Sequence, residues 1–219
     1  MLVQLEHVTQ MIRKKVVLKN VSLTFDSQWV YGLQGINGSG KTMLMRTICG
    51  LIVPDKGRIL INNMELHKDM DFPPSIGVLI ESPAFLNELT GFDNLKLIAS
   101  LQNKVSDEEI RDALRKVGLD PNDRRTYRKY SLGMKQRLGI ACAVMGQPQI
   151  VLLDEPLNAI DADGIVLVRN IIQELKESGS LVILACHDKE ELYSLSDVII
   201  ELKEGKVCGR KTLSEAAGC

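Results

Sequence analysis

Val21, Leu23 and Phe25 alternate with Asn20, Ser22, Thr24 and Asp26, the period of two that marks a strand with one face buried and one in water. Leu2 to Val8 repeats this pattern more weakly, and Arg58 to Asn62 follows the turn sequence Pro54-Asp55-Lys56-Gly57. Together these segments predict a small antiparallel sheet. Other runs are apolar without alternation. Trp29 to Leu33 and Ile76 to Ile80 read as short strands, the second halting at Glu81-Ser82-Pro83. Ile150 to Leu153, Leu181 to Leu184 and Val198 to Ile200 are continuous, as parallel strands covered on both faces must be. Between them the spacing turns helical: Val168, Ile171, Ile172 and Leu175 form one face of a helix ending near Gly179.

A block from Ser82 to Gln147 differs in character. Thr90 with Asp93 caps a helix carrying Leu95, Ile98 and Ala99. Ser106-x-x-Glu109 is a capping box before Ile110, Leu114 and Val117, and Gly118 closes that helix. The pattern predicts one α/β domain over 1–219, with a parallel-sheet core and an antiparallel part drawn from 1–81 and 148–219, and a helical subdomain over 82–147.

The strand at Trp29 to Leu33 runs into Gly35-Ile36-Asn37-Gly38-Ser39-Gly40-Lys41-Thr42, which fits the phosphate-binding pattern G-x-x-x-x-G-K-[ST]. Met43 to Cys49 follows with helical spacing, and Gly50 is placed to end that helix. Glycines let backbone N–H groups approach phosphate oxygens, and a helix starting near Lys41 adds the positive end of its dipole. Lys41 brings a charge toward the β- and γ-phosphates, and Thr42 offers a hydroxyl to Mg²⁺. Asp154-Glu155 closes another apolar strand. A phosphate-loop protein needs a carboxylate there for Mg²⁺, assigned to Asp154; Glu155 is placed as the base or water-orienting group for attack on the γ-phosphate.

Composition narrows the setting. The chain has 219 residues, 45% hydrophobic and 25% charged, and a formal net charge of −1, which gives no general pull toward nucleic acid or anionic lipid. Its apolar runs, Leu181 to Cys186 among them, fall short of the ~18 residues that span a bilayer, so a partner must do any crossing. The start, Met1-Leu2-Val3-Gln4-Leu5-Glu6, does not read as a secretion signal, and a cytosolic location is expected. Cys49, Cys142, Cys186, Cys208 and Cys219 are scattered without C-x-x-C spacing and read as reduced thiols with no metal or redox role.

Ser131-Leu132-Gly133-Met134-Lys135-Gln136-Arg137 resembles the L-S-G-G-Q signature of ABC-type ATPases, with Leu132 where the first Gly usually stands. Physically it is an N-cap serine opening a helix whose first turn offers N–H donors at Gly133 and Met134. Asn158-Ala159-Ile160-Asp161 resembles the D-loop of that family, and His187, just past the strand Leu181 to Cys186, stands where its switch histidine contacts the γ-phosphate. The resemblance covers essentially the whole chain. It implies an ATP hydrolase of a membrane transporter, with ATP and Mg²⁺ as cofactors. ATP contacts would come from Gly35, Asn37, Gly38, Ser39, Gly40, Lys41, Thr42 and Met43 of one copy. Ser131, Gly133, Met134, Gln136 and Asp161 would come from a second copy or a paralogous subunit. It further implies integral permease partners, a peripheral place on the inner face of the cell membrane, and no nucleic-acid partner.

Two departures stand out. Glu81 occupies the place of the family's Q-loop glutamine, and its carboxylate is expected to bind the metal more strongly or to raise neighbouring pKa values. Ile76 to Pro83, with the Ser131 segment, is similar to bacitracin and lantibiotic export or self-immunity transporters. Ile12 stands where the family stacks an aromatic ring on adenine; Met11 and Ile12 are expected to cover the base with weaker hold. An ABC ATPase acting on DNA or ribosomes is the alternative, but the chain has neither heptad arms nor a second phosphate loop. A nucleotide kinase would leave the Ser131 segment and His187 without a role.

Overall fold

The computed structural model describes residues 1–81, 84–102 and 105–213. Ser82, where the helical block is expected to begin, Pro83 and Cys219 lie outside the described residues. The strands are β1 (Leu2–Ile12), β2 (Lys15–Asp26), β3 (Val30–Gln34), β4 (Lys56–Ile61), β5 (Met64–Glu65), β6 (Ile76–Leu79), β7 (Ile150–Asp154), β8 (Leu181–Ala185), β9 (Val198–Lys203) and β10 (Lys206–Thr212). The helices are α1 (Lys41–Ile48), α2 (Gly91–Gln102), α3 (Asp107–Lys116), α4 (Leu132–Val144), α5 (Ala162–Glu177) and α6 (Lys189–Leu195), with a 3₁₀ turn at Tyr127–Lys129.

Two sheets form. The antiparallel one has the order β2-β1-β4-β5; the larger has the order β10-β9-β3-β8-β7-β6 and is parallel apart from β10. This is the phosphate-loop NTPase fold, with the small antiparallel sheet and the helices α2 to α4 between β6 and β7.

Why the central strands lack alternation is visible in where their side chains go. Val151, Leu153, Val182 and Leu184 pack into the core beneath α2 to α6, whereas Ile150, Leu152, Leu181 and Ile183 pack into a second core with α1 and the antiparallel sheet. Each strand buries both faces, so each position must be apolar. Every such side chain contributes about 1.5–3 kcal/mol from burial. In β2 the alternation holds, with Val21, Leu23 and Phe25 inward and Asn20, Ser22 and Thr24 outward. The first run is shorter than its sequence suggests: β3 begins at Val30, and Trp29 is partly exposed.

The expected helix boundaries have physical causes. Ser106 and Glu109 form a reciprocal capping box on α3, and Gly118 follows that helix with φ of 72°, a left-handed geometry suited to glycine. Thr90 Oγ1 accepts from Asp93 N at the start of α2. α4 is fixed to the sheet by a missing side chain: a Cβ on Gly77 of β6 would lie 1.6 Å from the carbonyl oxygen of Ala143 near the end of α4. Only glycine permits that approach.

Cys49, Cys142, Cys186 and Cys208 are free thiols among the described residues. Burial pushes the Cys142 thiol up to about 11 and Cys186 to about 12, so both remain protonated and unreactive at neutral pH.

Candidate nucleotide-binding and catalytic site

β3, β7 and β8 end on the same edge of the parallel sheet, with β8 between the other two. The segments that follow them carry the phosphate loop, Glu155 and His187, and carboxyl ends of parallel strands are where such sheets bind ligands. A cleft of about 950 Å³ opens there, lined by Asn37, Gly38, Gly40, Lys41, Thr42, Met43, Glu81, Leu132, Gln136, Asp154, Glu155 and His187 among others.

The loop is shaped by glycines that other residues could not replace. Gly38 and Gly40 have φ of 78° and 114°, and a Cβ on Gly35 would lie 2.4 Å from Leu202 O and Ser39 Oγ. Ser39 itself is buried beneath the loop. Lys41, the first residue of α1, is also buried, and its ammonium donates to Gly35 O at 2.6 Å and Ile36 O at 3.4 Å. Its charge is thereby held over the loop, satisfied by carbonyls that phosphate oxygens would displace.

Thr42 Oγ1 donates to Asp154 Oδ2 at 2.6 Å. A hydroxyl and a buried carboxylate side by side are hard oxygen donors that suit Mg²⁺, an ion that completes its shell with waters and substrate phosphates. No group of three or more His, Cys, Asp or Glu side chains able to hold a metal occurs among the described residues, so a metal here would depend on the nucleotide for further ligands.

Glu155 sits immediately after β7 with φ of 53°, an unfavourable backbone for glutamate. The conformation is fixed from several sides: Glu155 N donates to Ala185 O, and its own carbonyl accepts from Asn158 N at 3.2 Å and Gln136 Nε2 at 2.9 Å. Its carboxylate accepts from His187 N at 2.9 Å, with His187 Nε2 3.6 Å from the other oxygen. Burial pushes the Glu155 carboxyl above its ordinary value; the His187 backbone bond works against this, and Asp154 adds to it. A raised carboxyl is a stronger base once ionised, which suits a group that takes a proton from water.

Glu81, expected either to bind metal or to raise its neighbours, is engaged otherwise: Arg46 Nη2 donates to its Oε1 at 2.5 Å. Ile12 lies at the end of β1, opposite Lys15 in register and 40% exposed; it is not among the cleft-lining residues, nor is Met11. The wall on that side is built instead from Lys15, Val16, Val17 and Lys19 of β2, with Glu204 and Gly205 from the turn between β9 and β10. Sequence reading missed these because the turn and the strand reach the phosphate loop only in the fold: Lys19 N donates to Gly205 O, and Gly205 N to Ser39 O.

The signature segment divides. Leu132 and Gln136 face the phosphate-loop cleft of their own chain, whereas Ser131, Gly133, Met134 and Asp161 line a neighbouring recess with Arg137, and Ala159 borders both. Met134 N, expected as a donor for ligand, instead donates to Ser131 Oγ at 3.2 Å and caps α4. Capping uses the first free N–H groups of a helix for its own serine. Asp161 caps α5 through Gly164 N and pairs with Arg137, which holds its carboxyl below the usual range. A single chain therefore does not bring Ser131, Gly133, Met134 or Asp161 to its own phosphate loop.

Known proteins resemble the chain over most of its length. Residues 18–158 match the family model described as ABC transporter. An uncharacterised ABC transporter ATP-binding protein, YybJ of Bacillus subtilis, is 43% identical over 94% of both chains. The bacitracin transport ATP-binding protein BcrA of Enterococcus faecalis is 34% identical over 97% of this chain and 70% of its own. Among solved structures, the dimeric post-hydrolysis state of the ATP-binding cassette MJ0796, bound to ADP and Pi, superposes with a TM-score of 0.87 at 25% identity, covering 96% of this chain and 98% of that one. With its phosphate loop, paired acids and signature helix in the family's order, the chain belongs to the ABC transporter family as an ATP-binding cassette, an ATP hydrolase.

Proposed function

We propose that this cassette powers a membrane exporter of a peptide-like antimicrobial or another toxic amphiphile. The observation that carries the ATPase part is Glu155, held in a left-handed backbone beside the Thr42 and Asp154 pair with His187 donating to its carboxylate. The exported class is supported by the likeness to the bacitracin transport protein and by Glu81 in the Q-loop position.

In this reading, the Gly35 to Thr42 loop holds the β- and γ-phosphates with backbone N–H groups, and Lys41 exchanges its loop carbonyls for phosphate oxygens. Thr42 and Asp154 would hold Mg²⁺, which supplies charge neutralisation between the phosphates. Glu155 aligns a water and takes its proton, while His187 keeps the carboxylate pointed into the cleft. Ser131, Gly133, Met134 and Asp161 serve the nucleotide of a second cassette, a further copy or a paralogue, so the site closes only when two cassettes meet. Closure is passed through the helical block 82–147 to permease subunits, which place the cassette at the inner face of the membrane. No helix among the described residues is long and apolar enough to cross a membrane, so the crossing falls to those subunits.

The test is co-expression with a candidate multi-spanning permease, followed by membrane fractionation and ATPase assay of the complex in lipid vesicles. The reading predicts recovery with the membrane and hydrolysis that rises when a bacitracin-like peptide is added. Recovery wholly in the soluble fraction, or hydrolysis indifferent to peptide amphiphiles, contradicts it.

A further inference from the structure

Arg46 lies on the exposed side of α1, one turn beyond Thr42, and its guanidinium reaches out of the helix to Glu81, two residues past the end of β6. Glu81 takes a left-handed backbone, with φ of 61°, and lines the same cleft as Thr42, Asp154, Glu155 and His187. For a residue with a Cβ this conformation persists only where contacts hold it. The helix whose first turn carries Lys41 and Thr42 thus also grips a further carboxylate of the cleft.

That grip has a chemical consequence. A carboxylate oxygen bonded to a guanidinium is not free for a cation, and hard divalent ions seek just such oxygens. The grip is also weak enough to exchange. Arg46 and Glu81 side chains are 31% and 64% exposed, and ion pairs so open to water shift equilibria by only about two- to fivefold.

We infer that Arg46 is a positioning residue: it holds the Glu81 carboxylate away from the metal position beside Thr42 and Asp154, and yields it to a divalent cation arriving with the nucleotide. This rests on the proposed reading of that pair as the metal donors. Arg46 then sets how readily the cation is bound.

The experiment titrates Mn²⁺ into the full chain saturated with a slowly hydrolysed ATP analogue, reading free Mn²⁺ by electron paramagnetic resonance. Arg46→Met is expected to tighten Mn²⁺ about two- to fivefold. The gain disappears in the Arg46→Met/Glu81→Gln double variant, and Arg46→Lys stays near wild type. An equal shift with and without Glu81→Gln, or no shift in Arg46→Met, overturns the inference. Should Arg46→Met fail to fold, Arg46→Gln enters the same cycle. A fluorescent ATP analogue added without metal separates the two levels. A wild-type chain that binds no nucleotide overturns the proposed function and this inference with it, whereas nucleotide binding with additive Mn²⁺ shifts overturns the inference alone.

Discussion

Glu155 concentrates the chemistry at the scale of a single residue. Its backbone is held in a conformation glutamate disfavours, and its carboxyl is raised by burial. The raised value has two consequences of opposite sign. For catalysis the ionised form is needed, so kcat should fall with decreasing pH through a value above the ordinary glutamate pKa of about 4.3. For stability the relation reverses: a carboxyl whose pKa is raised on folding makes ionisation unfavourable to the native state, so folding is weakened as pH rises through the unfolded value. Glu155→Gln should therefore reduce kcat by about 10²–10⁴-fold while raising the melting temperature at pH 7, and that gain should shrink as pH falls from the raised value toward the ordinary one and vanish below it. Steady-state kinetics and thermal melts across pH check both, and unchanged hydrolysis rejects the assignment of Glu155 as base. The motif residues Lys41, Thr42, Asp154, Glu155 and His187 were legible from sequence because local strand, loop and helix patterns place each at or just past a strand end or at the start of a helix. Arg46 and Lys15 were not, since only the fold brings Arg46 to Glu81 and Lys15 to the cleft, and Gln136, expected at the nucleotide of a second copy, bonds the Glu155 backbone of its own chain.

Among the elements, legibility followed burial. β7 and β8 are buried at every position, and their sequences permit no other reading. β10 lies at the sheet edge with Lys206, Arg210, Lys211 and Thr212 exposed, and α6 buries only Leu192 and Leu195 in seven residues; neither leaves a period to read. The outer half of β1 likewise breaks its alternation through bulges opposite β2. The element that joins the site to the helical block is α4. Its first turn carries the signature residues, Gln136 fixes it to the backbone of Glu155 and Pro156, and its far end rests on Gly77. Gly77→Ala forces a methyl group into the Ala143 carbonyl, which should cost about 3 kcal/mol and lower the melting temperature by about 6–12 °C. Differential scanning calorimetry measures it directly; a variant that melts with wild type would mean that β6 and α4 are not in backbone contact.

For the whole molecule, the motif residues fall into two groups. The phosphate loop, Asp154, Glu155 and His187 share one cleft, while Ser131, Gly133, Met134 and Asp161 line another recess. Leu132 and Ile36 are 72% and 77% exposed at the signature helix and the phosphate loop, apolar surface of the kind that assembly covers. Both features fit two cassettes that meet face to face with a nucleotide at each junction. The most direct measurement is the mass of the Glu155→Gln chain by light scattering, with ATP and Mg²⁺ and then with ADP. The account predicts about twice the single-chain mass with ATP and the single-chain mass with ADP. A single-chain mass at saturating ATP, with or without an added paralogous cassette, would contradict it.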